Sequence, residues 1–282
     1  MACPYLKEGR AQYCHAAPVR KLILDGPEGA DAGRCASPSY QLCEWAGKEA
    51  TPRDRCPFLE RTQVQYCTAS SITKLVACSD SQLSSCASSS YRYCDSYLSL
   101  ARLRNVTPPA QLLFHSPNHF WLDAQESGFC HIGIDSFLVE TAGSVEALTF
   151  ATLRGTVSPA LVLTIHGVEW PMSFPNPLMI HKVNGRVRSD PSRLTADPYG
   201  AGWLFEGWEL PGRTRSGLIT GMQGATWQAN ERDRLTREIH EMRGSACDGG
   251  VPVHGVAGLL RREQVVCLFQ HFFARRDWAV EE

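Results

Sequence analysis

The sequence predicts an α+β, multidomain chain: small Cys-rich, metal-stapled repeats, then a β-rich sandwich of short strands, then C-terminal α-helices. Three observations predict this order. Nine of the twelve cysteines lie before residue 95. From about residue 113, cysteines thin out and short apolar runs alternate with turn residues. Beyond Pro211-Gly212 the apolar residues recur at helical spacing. A chain of 282 residues is long enough for more than one core. The boundaries read as 1–97 for a duplicated Cys-rich region (copies 1–50 and 51–97), 98–112 for a linker, 113–210 for the β-rich domain and 211–282 for a helical segment.

The Cys-rich region aligns with itself. The first copy runs Cys3-Pro4-Tyr5-Leu6, Gln12-Tyr13-Cys14, Lys21-Leu22-Ile23 and Cys35 to Cys43; the second runs Cys56-Pro57-Phe58-Leu59, Gln65-Tyr66-Cys67, Lys74-Leu75-Val76 and Cys86 to Cys94. Ten residues separate the first two cysteines of each copy and seven the last two, while the middle gap varies as a loop does. Each copy offers four thiols: Cys3, Cys14, Cys35 and Cys43, then Cys56, Cys67, Cys86 and Cys94. Four thiolates suit tetrahedral zinc or an iron–sulfur cluster, and small repeats with little core need such a staple. Two four-Cys metal sites are therefore expected. Neither copy has a Cys-x-x-Cys knuckle or a named ferredoxin spacing, so the metal stays open, as does pairing across copies. Cys78 has no counterpart and reads as a spare thiol.

Ser96 to Arg104 reads as a short helix, broken by Asn105-Val106-Thr107-Pro108-Pro109. In the β-rich part, Val145–Leu153, Ala160–Ile165, Leu178–Val183 and Trp203–Leu210 read as strands, punctuated by Gly143, Gly155, Gly167 and Gly185. After residue 211, Leu218, Ile219, Met222, Leu235, Ile239 and Met242 suggest one amphipathic helix with a break near Gly221 or Gly224. Asp248-Gly249-Gly250 marks a turn, and a second helix is expected over Arg261 to Trp278, packed back on the sandwich through Val265, Val266, Leu268, Phe269, Phe272 and Phe273, with a partner-facing helix as the alternative.

The β-rich part resembles the glycine cleavage H-protein family, the lipoyl carriers of one-carbon metabolism. The resemblance covers roughly residues 118 to 210. His119-Phe120-Trp121-Leu122 matches the family's entry motif, and His131-Ile132-Gly133-Ile134 its valine-glycine-isoleucine strand. Phe137 stands at the family's tyrosine, Gly143 and Gly155 on its glycines, and Asp197-Pro198-Tyr199-Gly200 closes the series. The resemblance implies a lipoyl-domain-like barrel-sandwich hybrid (a single hybrid motif). It also implies a lipoyl lysine on a hairpin tip, eight residues before the proline equivalent to Pro175. Here the intervening segment is shorter and reads Ile165-His166-Gly167-Val168-Glu169-Trp170-Pro171-Met172, and no lysine lies between Lys74 and Lys182. Without an amine no lipoyl amide forms. The expectation is a divergent member without lipoate, its hairpin tip near His166, Gly167 and Trp170, with Trp170 either exposed as a recognition element or, as the favoured reading, folded back onto the sandwich.

Net charge is −1, which argues against bulk electrostatic binding to nucleic acid. No apolar run is long enough to span a bilayer. Met1-Ala2-Cys3-Pro4-Tyr5 lacks a basic-then-apolar layout, so a cytoplasmic location is expected. No nucleophile elbow, phosphate loop, dinucleotide fingerprint or His-Glu-x-x-His occurs, so no catalytic residue is assigned. The leading expectation is a non-enzymatic adapter that docks an unidentified protein partner. An iron–sulfur redox accessory comes second, and a true glycine cleavage carrier third.

Overall fold

The computed structural model describes residues 2–16, 21–24, 34–46, 53–69, 72, 74–76, 85–104, 112–243 and 253–274. Two compact units divide the chain, Met1–Val106 and Thr107–Glu282.

The first unit is built on a four-stranded antiparallel sheet. Its strands are β1 (Leu6–Cys14), β2 (Lys21–Leu24), β3 (Leu59–Cys67) and β4 (Lys74–Val76), in the order β2-β1-β3-β4. The long strands β1 and β3 pair along their whole length, from Leu6↔Cys67 to Cys14↔Leu59. At the centre Arg10 faces Gln63, its counterpart in the other Cys-rich segment. The ladder therefore looks the same from either strand, as about a two-fold axis. Each segment continues into a short 3-10 turn, Pro38–Leu42 or Ser89–Tyr93, closed by Cys43 or Cys94, whose N–H donates to the carbonyl of Tyr40 or Tyr91. Helix α1 (Asp95–Leu103) starts from Cys94 and packs Tyr97 edge-on against Tyr91, 4.8 Å between ring centres. It occupies part of the stretch expected to be linker; the Asn105-to-Pro109 break lies outside the described residues, as does Cys78.

The second unit holds the main core. A seven-stranded sheet runs β14 (Ile219–Thr220), β5 (Phe114–His115), β6 (Phe120–Ala124), β7 (Phe129–Ile134), β13 (Phe205–Glu209), β12 (Leu178–Val183) and β9 (Gly155–Val157). A three-stranded sheet runs β11 (Val168–Ser173), β10 (Ala160–Ile165) and β8 (Ala147–Phe150). Burial alternates along β10, with Leu161, Leu163 and Ile165 inward, as expected of a strand with one face on a core. Between the strands lie α2 (Ser136–Ala142), α3 (Gly185–Ser189) and α4 (Ser192–Ala196). Strands β10 and β12 coincide with their predicted limits. Strands β8 and β13 are shorter than predicted: Thr152 leaves the ladder to bond Ala160, and the Trp203 carbonyl accepts from the Asn184 side chain.

The Asp197-Pro198-Tyr199-Gly200 segment is a structural lock. The Pro198 carbonyl accepts the Trp121 indole N–H at 3.1 Å, the Tyr199 hydroxyl accepts the Ser136 N–H at 3.1 Å, and Asp197 Oδ2 accepts the Ala201 N–H at 2.9 Å. The turn thereby ties β6 to the first turn of α2. A Cβ on Gly200 would fall 2.5 Å from Asp197 Oδ2, so the position takes glycine.

The C-terminal helices are α5 (Gly221–Arg243) and α6 (Arg262–Leu268), the latter continuing as a wider turn over Phe269–Phe273. Helix α5 is unbroken at Gly224. Ile219, expected within the helix, instead pairs with His115 at the sheet edge, and the helix begins only at Gly221. Leu235, Ile239, Val265, Leu268, Phe272 and Phe273 all join the core of the sandwich. Asp248-Gly249-Gly250, Cys247 and Trp278 lie outside the described residues. No helix among the described residues is long and apolar enough to cross a membrane.

Candidate functional site

Strands β10 and β11 form a tight hairpin. Ile165 pairs with Val168, which leaves His166 and Gly167 as a two-residue turn with φ of 49° and 69°. Two left-handed residues define the turn that suits the twist of a hairpin. The tip is at the surface but tied down. His166 Nε2 lies 3.2 Å from the Ala142 carbonyl, the Gly167 N–H donates to Glu146 at 3.2 Å, and Arg262 Nη1 donates to the Gly167 carbonyl at 3.0 Å. Trp170 is fully buried, its ring 5.0 Å from Phe273 and 5.5 Å from Phe269. The C-terminal segment thus covers the hairpin. It is seated by a close backbone approach at Gly143 and Gly255, both at positive φ, where a Cβ on Gly143 would fall 2.8 Å from Gly255 Cα.

Beneath α5 sits a buried polar cluster that the sequence reading missed. His119 is fully buried with φ of 67°, a costly conformation for a residue with a side chain. Its Nδ1 is 3.2 Å from Asp135 Oδ2 and its Nε2 is 3.6 Å from Glu231 Oε2. Phe137 stacks on the ring at 4.0 Å, and Trp227 covers it from α5 at 4.9 Å. Burial works against a charge on His119, but Asp135 and then Glu231 outweigh it and raise the imidazole above its usual range. Burial likewise works against Asp135, yet His119 and His115 hold that carboxyl down to about 2. Asp135 also caps α2 by accepting the Phe137 N–H at 3.1 Å. The contacts of His119 with Asp135 and Glu231 link α5 to the sandwich. A shallow groove lined by Ile219, Gln223, Thr226, Trp227 and Asn230 lies beside it.

The predicted metal ligands fall into two sets, and neither set is one copy. Strand β1 separates Cys3 from Cys14 by nine residues of extended chain, about 27 Å from end to end. Those two thiols cannot meet, nor can Cys56 and Cys67 across β3. Antiparallel pairing instead carries Cys14 to Leu59, beside Cys56, and Cys67 to Leu6, beside Cys3. The Cys56 N–H donates to the Cys35 carbonyl and the Cys3 N–H to the Cys86 carbonyl, both at 2.8 Å. Cys35 and Cys43 pack on the buried cluster of Tyr40, Ala46, Cys56 and Leu59. The electrostatics give the same grouping. Burial first, then Cys56, Cys14 and Cys43, push the Cys35 thiol up; burial first, then Cys3, Cys94 and Cys67, push up that of Cys86. Among the described residues, no group of three or more His, Cys, Asp or Glu side chains is placed so that it could hold a metal ion. Cys130 is buried beneath the sandwich sheet, and Cys267 lies 3.8 Å from the His271 ring.

The β-rich sandwich, its two-residue hairpin tip and the Asp-Pro-Tyr-Gly lock together define a small β-rich domain. A family model described as Glycine cleavage H-protein matches residues 112–208. Glycine cleavage system H protein 1 of Pseudomonas syringae pv. tomato is 30% identical over 90 residues, covering 31% of this chain and 71% of that protein. Glycine cleavage system H protein 5 of Aquifex aeolicus is 27% identical over 146 residues, covering 50% of this chain and 93% of that protein. A crystal structure of a glycine cleavage system H protein from Mycobacterium marinum aligns at 23% identity with a TM-score of 0.37, covering 44% of this chain and 98% of the other. The chain belongs to the glycine cleavage H-protein family.

Proposed function

We propose that this chain is a non-lipoylated, divergent H-protein-like adapter, a docking module rather than an enzyme, joined to a duplicated Cys-rich region that binds metal. One observation carries the reading. The hairpin that in the family presents the lipoyl lysine turns here through His166 and Gly167, and its tip is bonded to the chain's own C-terminal segment through Arg262. No lysine occurs in the hairpin. Lys182, the next one along, is on strand β12, 4.0 Å from Glu206 and over the Trp203 ring at 5.3 Å. A swinging arm needs an amine on a free tip, and the tip supplies neither. What is left to the sandwich is recognition of a protein partner.

The test is an intact-mass measurement after co-expression with a lipoylating enzyme and lipoate. The expected result is an unmodified chain that gives no turnover with the partner proteins of the glycine cleavage system. A gain of one lipoyl mass would overturn the adapter and restore the carrier. A redox accessory role is the second reading, favoured by the eight grouped cysteines. It predicts a brown preparation with broad visible absorbance.

A further inference from the structure

We propose that the Cys-rich unit holds two zinc ions in four-thiolate sites that are exchanged between the two copies: Cys14, Cys35, Cys43 and Cys56 form one, and Cys3, Cys67, Cys86 and Cys94 the other. This goes deeper into the metal-binding reading of that unit and stands apart from the lipoyl argument.

Three features carry it. The β1–β3 register places one end of each strand beside the other copy's Cys-Pro pair, with the Cys56 and Cys3 N–H groups bonded to the Cys35 and Cys86 carbonyls. Each set then draws its last two thiols from one 3-10 turn region, Cys35 and Cys43 or Cys86 and Cys94. A donor also aims at one sulfur. The Ala69 N–H lies 3.4 Å from Cys67 Sγ. Such N–H···S contacts spread the negative charge that four thiolates would bring to one point.

The chemistry favours a soft dication. Four thiols in one site suit zinc, a borderline-soft dication that pairs well with sulfur. A bound zinc displaces four protons from four thiols and leaves each site with a net charge of about −2. Binding then draws each set of neighbouring thiols onto one ion and stitches the first Cys-rich segment to the second at both ends of the β1–β3 ladder.

Metal content of the full-length protein, purified under reducing conditions with zinc, tests the grouping. The wild type is expected to hold two zinc ions per chain. Cys14→Ser/Cys56→Ser removes ligands from one exchanged site and should retain one zinc. Cys3→Ser/Cys14→Ser strikes both exchanged sites and should retain none. Sites closed within each copy give the reverse order, with one zinc kept by C3S/C14S and none by C14S/C56S, and would overturn the proposal. A variant that loses zinc by misfolding is set against cobalt-substituted wild type. That sample should show the tetrahedral d–d bands and thiolate charge-transfer of four-sulfur coordination at two cobalt per chain. No metal in the wild type, or iron with inorganic sulfide in its place, would overturn the assignment. The lipoyl mass measurement and the zinc count fail independently.

Discussion

In the second unit, Phe120, Leu122, Ile132, Leu163, Trp170, Phe205 and Phe273 are wholly buried and belong to one continuous core. In the first, one end of the sheet rests on Tyr40, Ala46, Cys56 and Leu59, while Leu42, Trp45 and Ile72 are exposed. The second unit gains its stability by removing apolar surface from water. The first has a nine-residue ladder, small clusters at its ends and cysteines where a larger domain would place leucine or phenylalanine. The contrast teaches that one chain can use two unlike solutions to the same entropic cost.

The sharpest way to break that comparison is to challenge the proposed zinc sites. Chelation under reducing conditions should abolish amide-exchange protection in β1 and β3, a loss on the order of 10 kcal/mol of apparent stability, and leave β6, β7 and β10 protected. Unchanged protection in β1 would show that the first unit stands on its own core. The converse test is Trp170→Ala, which empties a fully buried site and should cost the second unit about 3–5 kcal/mol in denaturant unfolding without altering the zinc count. A milder cut is Gly255→Ala. The φ of 72° and the contact with Gly143 predict a loss of about 1–3 kcal/mol, seen as faster amide exchange across residues 253–274.

The smallest effect is a pH dependence confined to the second unit. His119 has a raised value in the fold, so its contribution is fully present below the unfolded value near 6.5 and is lost as pH rises through the folded value. Asp135 has a depressed value, so its contribution is present above 3.8 and fades as pH falls through about 2. Thermal unfolding followed from pH 5 to 9 should therefore show the second unit weakening on the alkaline side. Glu231→Gln should shift that decline toward lower pH by removing one of the two carboxylates facing the imidazole. An unchanged profile would mean that Glu231 does not sense the charge on His119.

Local signals explain what was legible. Strands β10 and β12 open on short apolar runs, Ala160–Leu163 and Leu178–Ile180, between turn residues, so their limits could be read from the sequence. Periodicity placed Ile219 on a helix, because a two-residue edge strand leaves no pattern of its own. Trp170 read as folded back, and its burial under Phe269 and Phe273 supplies the reason. The Asp135–His119–Glu231 cluster was not legible. Its members come from the turn between β5 and β6, a helix cap and a distant helix, and no spacing rule joins them. The grouping of cysteines was half legible. Alignment identified the eight thiols and left their partners open, yet a strand-forming stretch between Cys3 and Cys14 already separates those two by more than any metal site spans.

The pairing of Arg10 with Gln63 at the centre of the β1–β3 ladder has a consequence for ancestry. A single Cys-rich segment could bring together neither set of four thiols alone. Two separate molecules of one such segment, joined through the same self-complementary strand, would form both sets at once, as symmetric homodimers do. On the proposed grouping, the present unit has the symmetry of a homodimer within one polypeptide. The fusion guarantees the partner at any concentration and frees each half to change without the other.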